Sequence, residues 1–402
     1  PPPRKTQCAH SPPTPDFWPL NTLSILGPTS PMDFYSWAPV LEIFRGVFSI
    51  ILVIFTQIQL LESTSPLILN SLIGYFIFTF LLFSIFSFGI EVEIKDNKMI
   101  VDGKPFYMKG ICYHPVKIGK TKRSFESLTE DLILIKEAGI NTLRVYEPID
   151  DIDVLDELQA AGVKVVISFG YNQKGRFDIV SGTFIDYVKK YKNHEAILMW
   201  ELGNEYNYNP QWFGGDINNW YKAMELVSRM IQIEDPNRLV SSAHGDLPSK
   251  DAISIASSVQ VWGMNVYRWD EPESIFNEWK AISDKPMYFA ELGADSYMTK
   301  STEKYTKGEN QLAQADANKI ILDKVLSNSD KNIGSFVFQF TDGFWKAGNP
   351  AKQDTGGSAP NSDGTPYDGT ANEEFWGIVD INRNKKITFD VVKDAYVNFD
   401  IN

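Results

Sequence analysis

Short apolar runs alternate with longer amphipathic stretches from about residue 106 to the end of the chain. The runs are rich in Val, Ile, Leu and Phe, which is typical of strands buried on both faces of a parallel sheet. Eight strand–helix pairs of this kind match one closed barrel, and 402 residues are enough to form it. The sequence therefore predicts an α/β fold, a single (β/α)8 TIM barrel within residues 91–402. The predicted strands are 106–113, 141–146, 163–168, 196–205, 238–242, 259–265, 287–291 and 333–340.

The first 90 residues differ in composition from the rest of the chain. Residues 1–40 are rich in Pro, Ser and Thr without periodicity, which predicts disorder. Residues 41–90 are apolar, and the 24 residues 67–90 carry no charge. Because such a run is long enough to cross a bilayer, it predicts a transmembrane or signal-anchor helix, with a buried pair of core helices as the alternative. We expect a membrane-associated or secreted protein whose barrel lies outside the cytoplasm.

Charge and composition exclude several classes of partner. The net charge of −13 disfavours nucleic acid, which binds basic surfaces. Only two cysteines occur, Cys8 and Cys112, so no disulfide framework holds the predicted barrel, and Cys112 is expected to be a small buried residue. Four histidines without a His-x-His pair argue against a metal-dependent hydrolase. We expect neither a metal nor a cofactor.

Polar residues gather where two of the predicted strands end. The run 196–199 leads into Asn204 and Glu205, and the run 287–290 leads into Glu291. The carboxyl ends of all strands in a (β/α)8 barrel open into one cleft, so both carboxylates are expected to face it. Glycoside hydrolysis uses two carboxyl groups that flank the scissile bond. The pair therefore predicts glycosidase chemistry, with Asn204 placed to donate a hydrogen bond to a sugar hydroxyl.

Other polar and aromatic side chains are expected in the same cleft because they follow other predicted strands. Structural alternatives exist for some of them: Arg144 could form an ion pair of the scaffold, and His244 could be a histidine satisfied within it. Glu201 is expected to point away from Glu205 and to support the site from behind. The candidate substrate-binding residues, besides Asn204, are Arg144, Tyr146, His244, Asn265, Tyr267 and Trp345.

Asn204-Glu205 after one strand and Ala-Glu-Leu-Gly at 290–293 after a later one resemble the retaining glycosidases built on (β/α)8 barrels. That clan includes the catalytic barrels of β-galactosidases and β-glucuronidases and the fungal β-1,3-glucanosyltransferases. The resemblance implies that Glu205 is the acid/base and Glu291 the nucleophile, about 5–5.5 Å apart, in a double displacement on β-linked glycans. It also implies that Arg144 and Tyr267 contact the nucleophile and that Trp345 forms the floor of a sugar subsite.

The subfamily stays open between two resemblances. Residues 106–113, 139–146 and 203–205 resemble β-1,3-glucanosyltransferases, but Leu292 stands where those proteins usually have Tyr. The segment 374–380, followed by Lys385-Lys386, resembles the end of β-galactosidase and β-glucuronidase barrels. A β-linked oligo- or polysaccharide is the expected partner in either case. The alternatives are a transglycosylase on the same barrel and a catalytically inactive barrel that only binds glycans.

Two local features complete the predictions. The loop 341–372 is rich in Gly, Asp, Asn and Ser, and a long loop at the carboxyl end of a barrel is either functional or a mobile surface insertion. Ser127 and Glu130 have the spacing of a capping box at the start of the first helix of the barrel.

Overall fold

The computed structural model of the protein describes residues 89–171, 177–357, 368 and 370–400. Its strands, in chain order, are β1 (Val92–Lys95), β2 (Lys98–Val101), β3 (Lys104–Phe106), β4 (Met108–Cys112), β5 (Thr142–Val145), β6 (Lys164–Phe169), β7 (Ile197–Asn204), β8 (Leu239–Gly245), β9 (Val261–Asn265), β10 (Met287–Leu292), β11 (Tyr297–Met298), β12 (Gly308–Glu309) and β13 (Gly334–Val337). Eight parallel strands close into a barrel in the order β10-β13-β4-β5-β6-β7-β8-β9. The predicted barrel is confirmed.

Helices follow the barrel strands as expected for parallel crossovers. They are α1 (Leu128–Glu137), α2 (Ile152–Ala161), α3 (Asp178–Ser181), α4 (Thr183–Tyr191), α5 (Asn218–Glu234), α6 (Lys250–Ile255), α7 (Ser274–Lys280), α8 (Gln311–Leu326) and α9 (Ile387–Val397). The short helices α3, α6 and α7 were not predicted, because they span too few residues to show a helical period.

An antiparallel sheet of β1, β2 and β3 precedes the barrel. The first predicted barrel strand, 106–113, includes Phe106; β3 takes that residue instead, and β4 starts at Met108. The amide of Val92 donates to the carbonyl of Asn237, which stands shortly before β8. Val92 and Met99 share an apolar core with residues of the barrel interior. The sheet therefore covers the amino-terminal end of the barrel, which leaves the carboxyl end open.

The chain after β13 is fastened to the carboxyl end of the barrel. The amide of Val379 donates to the carbonyl of Phe340 at 3.0 Å, and that of Asp342 to the carbonyl of Val379 at 3.1 Å. A buried ion pair of 3.1 Å joins Asp342 to Lys386, just ahead of α9. The described part of the loop 341–372 is thus tied to the barrel at its root, which the prediction of a mobile insertion did not anticipate.

The predicted capping box is wrong. The hydroxyl of Ser127 makes no capping bond to the first turn of α1. It donates instead to the carboxylate of Asp131 at 3.0 Å and accepts from Arg383 at 2.7 Å. An ion pair between Arg383 and Asp131 explains this competition, because a charged partner binds the hydroxyl more strongly than a backbone amide does.

The predicted membrane association and membrane-anchored location are corrected by the helices of the structure. Across the parts of the chain that the structure describes, no helix is both long enough and apolar enough to span a bilayer. That prediction depended on the run 67–90, of which only the last two residues are described. The segments 1–40 and 41–88 lie entirely outside the described residues.

We predict that Gly110→Ala destabilises the barrel. A Cβ at residue 110 of β4 would lie 2.3 Å from the ring of Phe336, which is fully buried. Overpacking of this kind costs about 1–3 kcal/mol, so urea denaturation should show a lower free energy of unfolding with an unchanged denaturant slope. The control is Ile133→Ala on α1, where the side chain is 68% exposed and the change should stay within about 0.5 kcal/mol. Equal stability of Gly110→Ala and wild type would contradict this packing.

Candidate active site

Glu205 stands one residue beyond the end of β7, at the open end of the barrel. Its backbone is left-handed, with φ 53° and ψ 27°, a conformation that a residue other than Gly adopts only under constraint. Gly203, with φ 69°, comes two residues earlier, and a Cβ there would lie 2.6 Å from the ring of Trp220. The sharp turn of Gly-Asn-Glu therefore ends the strand at this point, and the carboxyl group of Glu205 receives a hydrogen bond from Asn265.

The environment of Glu205 favours its neutral form. Burial raises the pKa of this carboxyl to about 8, and the negative charge of Glu291 adds to the shift; a hydrogen bond from Asn265 opposes it. Since the pKa lies above neutral pH, the carboxyl is largely protonated there. Glu205 is therefore equipped to donate a proton.

Glu291, on β10, differs from Glu205 because its carboxyl group accepts hydrogen bonds from three side chains. Its Oε1 accepts from Arg144 at 2.8 Å and from the phenol of Tyr146 at 2.7 Å. Its Oε2 accepts from the phenol of Tyr267 at 2.8 Å. Burial and the charge of Glu291 raise the pKa of Tyr267 above its usual value, so its phenol keeps the donated proton. Three donors on two oxygen atoms are an arrangement that fits an ionised carboxylate.

Arg144, on β5, is fully buried, and its positive charge faces the carboxylates of Glu201 and Glu291. Its Nε lies 3.0 Å from each carboxylate oxygen of Glu201, which is also fully buried. The same guanidinium reaches Glu291 through Nη1 and Asn204 through Nη2, each at 2.8 Å. Arg144 therefore forms a structural ion pair with Glu201, as the alternative proposed, and it also contacts Glu291 and Asn204.

Asn204 and Asn265 connect the surroundings of the two carboxyl groups, because Asn204 binds Arg144 and Asn265 binds Glu205. The Oδ1 of Asn204 accepts from Arg144 at 2.8 Å and from Asn265 at 3.1 Å. Because these bonds fix which end of the amide is the oxygen, the NH₂ group of Asn204 is turned away from Arg144 and remains a donor. The structure thus brings Asn204, Asn265 and both carboxyl groups into one cluster.

Trp345 and His244 have different positions relative to this cluster. The half-buried ring of Trp345 lies 5.0 Å from that of His114, which in turn lies 6.0 Å from that of Tyr146, so Trp345 borders the same cleft. His244 turns outward to α5: its Nε2 lies 3.2 Å from the phenol of Tyr221, and its Nδ1 lies 3.1 Å from the carbonyls of Gly245 and Asp246. Burial lowers the pKa of His244 to about 4, so it is a neutral histidine of the scaffold.

The sequence does not predict the support beneath Arg144. Glu201 points into the barrel, where it accepts from the phenol of Tyr288 at 2.5 Å and from the hydroxyl of Ser168. Its side chain does lie behind the site, as expected, but its contact with Arg144 was missed. A charged residue inside an apolar strand needs a buried partner of opposite charge, and Arg144 and Glu201 are two such residues on separate strands. The presence of these two opposite charges in apolar strands was therefore the sequence signal that could have predicted their contact.

Within residues 89–171, 177–357, 368 and 370–400, no group of three or more His, Cys, Asp or Glu side chains is arranged to hold a metal ion. Cys112 is buried in the barrel, where burial raises the pKa of its thiol to about 12, and its sulfur lies 3.4 Å from the carbonyl of Ala290.

The sequence of residues 92–352 matches the TIM barrel domain of glycosyl hydrolases family 2. The chain belongs to this family. A β-glucuronidase of Mus musculus is 24% identical over 62% of this chain and 41% of its own length. A 1,3-β-glucanosyltransferase of Saccharomyces cerevisiae is 23% identical over 52% of this chain and 53% of its own length. The chain therefore spans between about two fifths and about half of the length of these relatives.

Solved structures show the same fold. A family 2 β-galacturonidase from Eisenbergiella tayi, bound to galacturonate, superposes with a TM-score of 0.59 at 22% identity, over 77% of this chain and 55% of its own. A β-glucuronidase from Dictyoglomus thermophilum gives a TM-score of 0.58 at 17% identity, over 77% and 54%. At these identities the likeness establishes the barrel and leaves the substrate open.

We predict that Glu201→Gln destabilises the protein, because it removes one of the two carboxylates that balance the buried charge of Arg144. Breaking a buried ion pair on one side costs about 3–5 kcal/mol, which chemical denaturation would measure as a lower free energy of unfolding. Glu195→Gln is the matched control, since Glu195 is exposed and accepts a surface hydrogen bond from Gln159. A loss no larger than that of the control would show that Glu201 does not carry this role.

Proposed function

We propose that this chain is a retaining β-glycosidase in which Glu291 is the nucleophile and Glu205 the acid/base, within a catalytic domain of residues 91–402. The observation that carries the proposal is the contrast between the two carboxyl groups. Three donors hold Glu291 as an acceptor, while burial and the charge of Glu291 raise the pKa of Glu205 to about 8. A carboxylate beside a neutral carboxylic acid is what a double displacement requires.

In the first step, a carboxylate oxygen of Glu291 attacks the anomeric carbon and the bond from that carbon to the leaving oxygen breaks. Glu205 gives its proton to the leaving oxygen, which departs as an alcohol. Arg144, Tyr146 and Tyr267 keep the attacking carboxylate in place, and we expect the two carboxyl groups to be about 5–5.5 Å apart. The product of this step is a glycosyl ester on Glu291.

In the second step, Glu205 is ionised and accepts a proton from water. The water oxygen attacks the anomeric carbon, the ester bond breaks, and Glu291 returns to its carboxylate form. The NH₂ group of Asn204 donates to a sugar hydroxyl in both steps, and the ring of Trp345 forms an apolar wall for the sugar. Two inversions at one carbon give a product with the configuration of the substrate.

The activities of the named relatives define the substrates to test. They are β-glucuronidases, a β-galactosidase and a β-galacturonidase, so β-glucuronides, β-galactosides and β-galacturonides form the first assay set. The family match favours hydrolysis over the glucanosyl transfer considered as an alternative. An inactive glycan-binding barrel is disfavoured because nothing in such a role calls for carboxyl groups in opposite environments. NMR of the first-formed product anomer tests the proposal: retention is expected, and inversion would contradict it.

We predict that Glu291→Ala abolishes turnover of an activated aryl β-glycoside. Sodium azide should partly restore it, because the small anion can occupy the space of the lost carboxylate and attack the anomeric carbon. The measurement is the initial rate with and without azide, together with the anomer of the glycosyl azide. Glu303→Ala is the control and should retain full activity, because Glu303 is an exposed glutamate between β11 and β12. Full activity of Glu291→Ala without azide would remove Glu291 from the mechanism.

We predict a basic limb near pH 8 in the profile of kcat/KM. The sign follows from the role of Glu205: the acid must be protonated, so the rate falls as pH rises through its pKa of about 8. On an unactivated phenyl β-glycoside, Glu205→Gln should lose most of the rate and also this limb, because Gln neither donates the proton nor titrates. A limb that persists unchanged in Glu205→Gln would assign it to another group.

A further inference from the structure

The backbone that follows Glu205 determines where its carboxyl group points. The amide of Glu205 donates to the carbonyl of Ala243 at 3.0 Å and so continues the ladder between β7 and β8 by one rung. A single 3-10 turn, Tyr206–Tyr208, comes next. Because the left-handed conformation of Glu205 is not favoured by the residue itself, it depends on contacts that hold this turn.

Asn207 holds the turn to β8 through both ends of its side-chain amide. Its Oδ1 accepts from the amide of Gly245 at 2.9 Å, and its Nδ2 donates to the carbonyl of Gly245 at 3.1 Å. Gly245 stands two residues after Ala243, where the next backbone rung of a parallel ladder would fall. The side chain of Asn207 therefore takes the place of a strand backbone and extends the ladder past Glu205.

Aromatic rings pack on glycines on both sides of the same turn. A Cβ at Gly245 would lie 2.1 Å from the ring of Tyr208. On the side of β6, a Cβ at Gly170 would lie 2.1 Å from the phenol oxygen of Tyr206, and this oxygen accepts from the amide of Tyr171 at 2.8 Å. The turn is thus fixed to the strands on either side of β7, with the two-point bond of Asn207 on one of them.

We propose that Asn207 is a positioning residue that fixes Glu205 for proton donation to the leaving group. The inference rests on the proposed function, in which Glu205 is the acid. Asn207 contacts Gly245 rather than the reacting atoms, and it acts through the backbone of the turn. Only a side chain with a donor and an acceptor on one short planar group can make both bonds, which Asn does and Ala does not.

The consequence for catalysis is specific to the leaving group. If the turn relaxes, the carboxyl group of Glu205 moves away from the leaving oxygen and toward water, while Glu291 and its three donors on other strands stay in place. Nucleophilic attack is then preserved and proton donation is impaired. General acid catalysis contributes roughly 10²–10⁴-fold, and mainly for leaving groups that are poor without a proton.

The test compares two aryl β-glycosides of one sugar that the full-length enzyme hydrolyses, an unactivated phenyl glycoside and an activated dinitrophenyl glycoside. For Asn207→Ala we expect kcat/KM to fall about tenfold or more on the phenyl glycoside and less than about threefold on the dinitrophenyl glycoside. The basic limb of the profile should also move to lower pH, because burial is the main cause of the raised pKa of Glu205 and water would then reach it.

Two further variants separate positioning from folding. Asn209 lies on the same loop, where its side chain accepts a hydrogen bond from Gln211. Asn209→Ala should leave kcat/KM unchanged on both substrates. Gly245→Ala keeps Asn207 but places a Cβ 2.1 Å from the ring of Tyr208, which must shift the turn. This variant should reproduce the leaving-group dependence of Asn207→Ala. Thermal unfolding of each variant shows whether the barrel is intact.

The outcomes distinguish this inference from the proposed function. If Glu205→Ala shows the leaving-group dependence and Asn207→Ala does not, or if Asn207→Ala lowers both rates equally with no shift of the basic limb, the positioning role is overturned. If Glu205→Ala lowers both rates equally, the role of Glu205 as acid fails, and Asn207 has no acid to position. If Asn207→Ala fails to fold, Gly245→Ala decides by the same two readouts.

Discussion

The buried guanidinium of Arg144 is the interaction on which the site depends. It is a charge inside a barrel of apolar strands, and such a charge is stable only when it is paired and fully hydrogen-bonded. Glu201 pairs with it on one side, and Glu291 and Asn204 bind it on the other. The barrel therefore orients Glu291 and Asn204 by the same bonds that make the buried charge tolerable. Stability and orientation cannot be separated at this point of the structure.

The two catalytic candidates differ because strand geometry treats them differently. Glu291 is still part of β10, so its direction follows from the pleat of the strand and brings it toward donors on β5 and the chain after β9. Glu205 lies past the end of β7, where no strand fixes its direction. A left-handed residue and a side-chain bond to the next strand take over that task. Glu205 is thus held by a turn, and Glu291 is held by the sheet.

The barrel was predictable because each strand is a continuous apolar run, and the positions of Glu205 and Glu291 at its carboxyl end were predictable because both residues follow such runs. Residues whose role depends on a partner far along the chain were harder to predict. The pairing of Glu201 with Arg144 joins residues of two strands, and the outward turn of His244 depends on Tyr221 of a helix. Ser127 looked like a cap because Arg383, its competing partner, is distant in sequence. Asn207 follows Glu205 by two residues, but its acceptor and donor on Gly245 are visible only in the fold.

The central claim is that Glu291 forms a bond to the sugar, and trapping that bond tests it most directly. The probe is a glycoside of an accepted sugar that carries fluorine next to the anomeric carbon and a good leaving group. The enzyme should form a glycosyl-enzyme from it, and this intermediate should be hydrolysed only slowly. Mass spectrometry of proteolytic peptides should then find the added sugar on the peptide that contains Glu291, and no adduct in Glu291→Gln. An adduct on a different residue, or inactivation without any adduct while the natural product shows inverted configuration, would contradict the account.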